Sequence, residues 1–159
     1  MKTFIIAILL SFYLQPSFSQ NNQADTGVIK SLIAKYAESI NNGDSILGAQ
    51  LFSHAPEVSF IQPRRYQRGW DEISSQVYGF FSKTFSRRNL NIISEHVTVY
   101  GNVAWAEFYW VFDATFKQGN TTMQTKGRET QIWRRANNEW RLVHVHYSNM
   151  PVTGDRQGF

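Results

Sequence analysis

The sequence predicts an α+β fold in which helices pack on one face of a curved antiparallel sheet. Two patterns carry this prediction. Apolar residues recur at three- and four-residue spacing in the first half of the chain, and four long β-type segments fill the second half. With 159 residues and 15% aromatic content, the chain can enclose a substantial core. We expect one domain over residues 22–150 and a C-terminal tail at residues 151–159.

Residues 1–19 have the pattern of a secretory signal peptide. Lys2 supplies the positive charge, the apolar run from Phe4 to Leu14 is too short to span a bilayer, and Ser17 and Ser19 frame a cleavage site before Gln20. The absence of cysteine excludes disulfides, thiolate metal sites and a lipoprotein anchor. We therefore expect an exported protein, periplasmic or secreted, with no membrane association once the signal is removed.

The charge distribution argues against nucleic acid as a partner. The formal net charge of +4 is modest, and the paired arginines lie apart at the ends of elements. Such a distribution is typical of solvated surface. We also expect no cofactor.

Three helices are predicted. The apolar stripe of the first consists of Val28, Ile29, Leu32, Ile33, Tyr36 and Ile40. Gly43 ends this helix in a left-handed cap, and Asp44 begins a second, short helix as its N-cap. A short strand at residues 58–61 and a polar segment follow, and Trp70 opens a third helix. The apolar face of that helix holds Ile73, Val77, Phe80, Phe81 and Phe85.

The turns between the four long β segments fix the pairing of the strands. These segments cover residues 90–100, 103–116, 121–135 and 140–148. A tight turn at Gly101-Asn102 pairs His96 with Glu107, Ser94 with Tyr109, and Ile93 with Trp110. A second turn at Asn137-Asn138 pairs Trp133 with Leu142, Gln131 with His144, and Glu129 with His146.

Two polar sets result from these registers. The first is His96, Glu107 and Tyr109, and the second is Glu129, Gln131, His144 and His146. An odd-length loop between Phe116 and Thr121 would bring both sets to one face of the sheet, and an even-length loop would separate them. Trp105, Val111, Trp133 and Leu142 would then share that face, which favours a pocket or an interface over a fully solvated surface.

If the sets converge, His96 and Glu107 form a candidate catalytic acid–base pair. Tyr109 is then a candidate donor to a substrate carbonyl or enolate oxygen. Gln131, His144 and His146 complete the candidate ligand-binding residues. The alternative is a solvated sheet face that carries ordinary polar residues. His144 and His146 would need a third ligand to hold a metal, so we expect structural hydrogen bonds and no metal there.

Three stretches of the chain resemble a known family. They are VIKSLIAKYAESINNGD at residues 28–44, the pair His96-Val97, and GRETQIWRRANNEWRLVHVHYS at residues 127–148. They resemble the association (hub) domain of calcium/calmodulin-dependent protein kinase type II, which belongs to the SnoaL-like, nuclear transport factor 2-like superfamily. The resemblance covers about residues 28–151.

The resemblance implies a cone, the cystatin-like roll, in which a strongly bent, mixed sheet wraps around three helices and leaves a pocket at its open end. It also implies dimerisation through the sheet. Pocket arginines of the hub align with Val111 and Gln131, so acidic-ligand binding of the hub type is not expected. Because those arginines line one pocket in the hub, the resemblance favours the odd-length loop.

Two function classes stay open. The first is a homo-oligomeric module that binds a small, partly apolar molecule in the cone pocket. The second is a cofactor-independent isomerase, cyclase or hydrolase that uses acid–base chemistry in the same pocket. In the predicted registers no carboxylate stands alone in an apolar strand pattern, so binding ranks first.

One face of the longest predicted strand is strongly apolar. It carries Phe108, Trp110 and Phe112, and Ile93, Ile132 and Val145 extend it. Such a surface is too large to remain in water, and three helices can cover only part of a sheet. We therefore expect a sheet-to-sheet homodimer or a higher oligomer. The alternative is that this face is the core beneath the helices.

Overall fold

The computed structural model describes the backbone of residues 18–150 and the side chains of residues 23–150. Residues 1–17 of the expected signal peptide, the side chains that frame its cleavage site, and the C-terminal tail lie outside the described residues. Within them, no helix has both the length and the apolarity required to cross a membrane.

Three helical regions form one layer. They are α1 (Phe18–Asn42), α2 (Ser45–Leu51) and α3, which runs through Gly69–Ile73, a π-helical turn at Ser74–Tyr78, and Gly79–Thr84. The predicted caps are confirmed. Gly43 takes a left-handed φ of 63°, and the Asp44 carboxylate accepts the Ile46 and Leu47 amides at 2.9 Å. The apolar stripe of α1 is buried at its centre, but Val28 is exposed.

Six strands form the second layer. They are β1 (Ser59–Gln62), β2 (Arg65–Arg68), β3 (Phe85–Tyr100), β4 (Val103–Phe116), β5 (Thr122–Ala136) and β6 (Glu139–Asn149). Their order in the sheet is β2-β1-β6-β5-β4-β3, and β1 runs parallel to β6 while all other pairs are antiparallel. The predicted α+β fold with a curved, mixed sheet is confirmed. We call the face that meets the helices the inner face and the opposite one the outer face.

The inner face holds the core of the protein. On β4 its side chains are Ala104, Ala106, Phe108, Trp110, Phe112 and Ala114, all of them buried. Phe112 stacks on Phe81 of α3, with ring centroids 5.6 Å apart. The apolar surface around Trp110 is therefore intramolecular, and the prediction that it forms a dimer interface is wrong. The helices reach it because the sheet curves around them.

The turn at Gly101-Asn102 sets the register of β3 and β4 only in the half of the hairpin that lies nearer to the turn. His96 pairs with Glu107 and Ser94 with Tyr109, as predicted. A β-bulge between Ile92 and Ser94 then turns Ile93 outward, where it is 58% exposed, and Trp110 pairs with Ile92. The predicted pair of Ile93 with Trp110 is wrong because the extra residue of the bulge shifts the register by one.

A bulge has a larger effect on β5 and β6. Ala136 pairs with Glu139 and Trp133 with Leu142, as predicted. Val143 is then the extra residue, so that Ile132 pairs with His144 and Thr130 with His146. The predicted pairs Gln131–His144 and Glu129–His146 are wrong. Because strand side chains alternate, this one-residue shift moves both histidines to the outer face.

The loop between β4 and β5 has an even length, so the preference for an odd loop is wrong. Thr115 pairs with Thr122, and the Phe116 amide donates to the Thr121 carbonyl at 2.8 Å. Gly119 and Asn120 close the turn with positive φ angles of 78° and 50°. Odd-numbered residues of β4 therefore share a face with even-numbered residues of β5.

Candidate functional site

The structure separates the predicted site residues between the two faces of the sheet. His96, Glu107, Tyr109, His144 and His146 lie on the outer face. Glu129 and Gln131 lie on the inner face and are buried. Val111 and Gln131, the positions of the hub arginines, fall on opposite faces and cannot line one pocket.

The outer-face residues border an open groove with a volume of about 550 Å³. Its lining includes His96, Glu107, Tyr109, Arg128, Thr130 and His146. The nearest polar partner of the His96 ring is its own strand neighbour Thr98, at 3.3 Å from Nε2. The His96 and Glu107 side chains are exposed, so this pair lacks the desolvation that strengthens acid–base chemistry.

His144 is not part of the groove lining and makes a structural hydrogen bond. Its Nδ1 is 2.8 Å from the Ser59 hydroxyl on the neighbouring parallel strand. Partial burial lowers the pKa of His144, and repulsion from His146 lowers it further. Across residues 18–150 no three histidine or acidic side chains come together as metal ligands would.

The inner face carries a second, smaller cavity of about 170 Å³, which is open on one side and bordered by the sheet, α1 and α3. Its wall is mainly aromatic: Tyr36, Phe60, Phe81, Phe85, Trp110, Phe112 and Tyr147. Glu129 is the acidic residue in this lining, beside the uncharged Thr125 and Asn149. The cavity is therefore an apolar site with one acid.

Glu129 is only 5% exposed. Its Oε1 accepts a hydrogen bond from Gln131 Nε2 at 2.8 Å, and the Tyr36 hydroxyl donates a second one. Burial raises the pKa of Glu129 to about 7, although both hydrogen bonds act in the opposite direction. The carboxyl group thus changes protonation near neutral pH.

A chain of fixed donors holds Glu129 in place. Trp133 Nε1 donates to Gln131 Oε1 at 3.1 Å. An indole N–H can only donate, so it fixes the orientation of the Gln131 amide and turns the amide nitrogen toward Glu129. Tyr147, another residue of the cavity lining, is also fixed, because its hydroxyl donates a hydrogen bond to Gln62 Oε1 at 3.0 Å. Burial raises the pKa of Tyr147 to about 12, and the charge of Glu129 acts in the same direction.

Sequence reasoning placed Glu129 in a polar set with the histidines and missed its isolation. The sequence nevertheless contained an indication of this isolation, because the inner-face neighbours of Glu129 on β5, Gly127 and Gln131, are uncharged. The register error beside Val143 hid it. Glu129 is the single carboxylate in the lining of an otherwise uncharged cavity, an arrangement that the predicted registers lacked.

Comparisons with known proteins agree with this architecture. A family model for the SnoaL-like domain matches residues 29–153. A nuclear transport factor 2-like superfamily protein from Salmonella enterica serovar Typhimurium is 43% identical, with 86% of this chain and 99% of that chain covered and a TM-score of 0.82. Among curated proteins, none matches this chain.

More distant solved structures share the fold. A candidate calcium/calmodulin-dependent protein kinase II association domain from Xanthomonas campestris is 16% identical, covers 79% of this chain and 87% of its own, and has a TM-score of 0.66. A candidate scytalone dehydratase from Novosphingobium aromaticivorans is 10% identical, with 88% of this chain and 95% of that chain covered and a TM-score of 0.75. With a matching family model and a relative of 43% identity, the chain belongs to the SnoaL-like domain family of the nuclear transport factor 2-like superfamily.

Proposed function

We propose that the inner cavity binds a small, largely apolar molecule and that Glu129 exchanges a proton with it, without a cofactor. The reaction class is an isomerisation or elimination by acid–base chemistry. The observation that carries this proposal is a buried carboxyl group with a pKa of about 7 in the wall of an aromatic cavity.

The volume of the cavity matches the size of a single ring. An apolar cavity of about 150 Å³ accommodates benzene, and the cavity here has about 170 Å³. Aromatic walls favour a flat or compact ring over a long chain.

The chemistry of Glu129 supports proton transfer. A general base works best when its pKa lies near the working pH, and burial in an apolar wall is how proteins raise a glutamate to that range. No cation pairs with Glu129 among the described residues, although three other ion pairs are present there. A purely structural role could be filled by glutamine, which avoids the cost of burying an unpaired charge.

A binding module without catalysis is the second candidate. It is favoured by the two hydrogen bonds that Glu129 receives from Gln131 and Tyr36, since a carboxylate held in this way can serve as an acceptor alone. In that case Glu129 would orient the ligand and take no proton from it.

Deuterium exchange separates the two candidates. Cyclopentanone, cyclohexanone and acetophenone are incubated with the protein in heavy water, and loss of the proton next to the carbonyl is followed by NMR. We expect exchange that rises as pH passes through about 7, and a loss of about 100-fold or more in Glu129→Gln. His96→Ala, on the outer face, is the matched control and should exchange normally. If the ketones bind the wild-type protein but exchange this proton no faster than they do with Glu129→Gln, the result would support the binding module.

Export and self-association are also part of the proposal. The pattern of residues 1–19 supports action outside the cytoplasm. On the outer face, Trp105 is 38% and Tyr109 47% exposed on an open sheet surface. Large aromatic side chains of this kind are enriched at protein interfaces, which supports a homodimer that forms through the outer face.

A further inference from the structure

We infer that the molecule in the inner cavity carries a carboxylate, which a basic pocket beside the cavity binds. The ligand class is therefore a small ring carboxylic acid. This pocket has a volume of about 340 Å³, and its lining includes Gln62, Arg64, Arg65, Phe80, Tyr147 and Asn149. We call it the arginine pocket. The inference rests on the proposed function, because it requires the inner cavity to hold the ring.

The arginine pocket borders the inner cavity. Tyr147 and Asn149 belong to the lining of both spaces. On β1, Phe60 lines the inner cavity, and Gln62, the next residue on the same face of the strand, lines the arginine pocket. Such positions lie roughly 7 Å apart along a strand, which is close to the length of a single ring that bears a carboxylate. One small molecule can therefore reach from the cavity into the pocket.

The charge of the arginine pocket is not compensated by the protein. Its lining contains Arg64 and Arg65 but no acidic residue. Neither arginine takes part in an ion pair within residues 23–150, where the three ion pairs involve other side chains. Two guanidinium groups in a concave site produce a local positive potential that attracts an anion. A carboxylate is the group that complements this potential.

Arg65 is held at the wall of this pocket. It pairs with Gln62 across the β1–β2 hairpin, and its guanidinium carbon lies 5.8 Å from the centre of the Phe80 ring. Phe80 is 45% exposed, so it gives the pocket an apolar side next to the charge. A guanidinium that rests on a ring keeps N–H donors at its edge, and its planar fork matches the two oxygens of a carboxylate.

The neutral amide of Gln62 is already engaged within the protein. Its Oε1 accepts the hydrogen bond from the Tyr147 hydroxyl at 3.0 Å, and its Nε2 donates to Gln67 Oε1 at 3.3 Å. Gln62 and Tyr147 thus form a fixed wall between the two spaces, with their hydrogen bonds directed at each other. Recognition of a ligand group in the pocket falls to the arginines, which favours an anion over a neutral polar group.

The test compares three ring acids with their neutral amides. The acids are benzoate, phenylacetate and 3-phenylpropanoate, and each amide has the same ring and the same length as its acid. Dissociation constants are measured by calorimetry at about pH 6, where the acids are ionised and Glu129, with a pKa of about 7, is mostly neutral. We expect at least one acid to bind roughly fivefold to tenfold more tightly than its amide, and added NaCl to reduce this preference.

Arg65→Gln should lower the preference for the acid to less than about twofold, because it removes the charge and the fork. Arg68→Gln is the matched control. Arg68 lies on the same strand but pairs with Ser59 on the outer face, and its loss removes the same charge from the chain. This control should keep the wild-type preference. The amides should bind all three proteins with similar affinity, which reports an intact cavity.

Competition shows where the ring lies. An acid that occupies both spaces should displace cyclohexanone from the inner cavity, and acetate, which has no ring, should bind at least roughly tenfold more weakly than the ring acids. The inference alone is overturned if the acids bind no more tightly than the amides, if Arg65→Gln keeps the preference, if the acids bind together with cyclohexanone, or if acetate matches the ring acids. If neither acids, amides nor cyclohexanone bind the wild-type chain, the inference and the proposed function both fail.

Discussion

Glu129 links the stability of the protein to pH because its pKa differs between the folded and unfolded states. Burial raises the pKa from 4.5 to about 7, so the folded chain holds this proton more tightly than the unfolded chain does. Stability from this group is fully present below about pH 4.5 and declines as pH rises to about 7. The difference amounts to roughly 3 kcal/mol at most.

Glu129→Gln should remove this pH dependence, because glutamine fills the same space without a charge. We expect the variant and wild type to have the same free energy of unfolding at about pH 4. At about pH 8 we expect the variant to be more stable than wild type by a few kcal/mol. Urea unfolding at both pH values measures the difference. Parallel stability curves for the two proteins would show that Glu129 ionises as an exposed glutamate does.

At the scale of elements, the hairpin turns predicted pairing well close to the turn and poorly beyond it. Asn137-Asn138 and Gly101-Asn102 each fix a register because tight turns leave no freedom next to them. Val143 and Ile93 then insert one residue each, and neither is a glycine that would mark a bulge in the sequence. The candidate site was misplaced for this reason. The three helices, whose period a bulge does not disturb, were predicted correctly except at Phe85, which was assigned to the third helix and begins β3 instead.

The start of α1 is joined to the β5–β6 hairpin by a partly buried cluster. Asp25 accepts Arg135 Nη1 at 2.8 and 3.0 Å and Trp140 Nε1 at 3.2 Å. The Arg135 guanidinium also lies 4.9 Å from the centre of the Trp140 ring. These contacts hold the helix across the turn end of the hairpin.

Asp25→Ala should destabilise the protein by about 1–3 kcal/mol, because it leaves two donors without their acceptor. Urea unfolding measures the change. Glu139→Ala provides the control, since its ion pair with Arg141 is largely exposed and should contribute less than about 1 kcal/mol. Equal effects of the two substitutions would mean that the Asp25 cluster contributes no more than a surface ion pair.

At the scale of the whole molecule, the fold was predictable because three stretches of sequence resemble one superfamily, and the family match confirms it. Which sheet face is covered was not predictable, since both faces of β4 carry aromatic side chains: Trp110 on the inner face and Trp105 on the outer face. Helix packing decides between them, and it depends on curvature that strand patterns do not encode. Export with a first residue at Gln20 stays a prediction.

Self-association should depend on the outer face and folding on the inner one. Trp105→Glu should turn a dimer into a folded monomer, because it places a charge in the interface while the core is untouched. Trp110→Glu should instead unfold the chain. Light scattering and circular dichroism at micromolar concentration distinguish these results. A wild-type chain that is monomeric under those conditions would contradict the proposed dimer.

The most direct measurement of the central claim is a ¹³C NMR titration of the Glu129 side-chain carboxyl, with and without cyclohexanone. We expect this group to titrate near pH 7 in the free protein, and we expect its chemical shift and its apparent pKa to change when the ketone occupies the cavity. Titration near 4.5, or near 7 but unaffected by saturating ketone, would contradict the claim that Glu129 meets a ligand in the inner cavity.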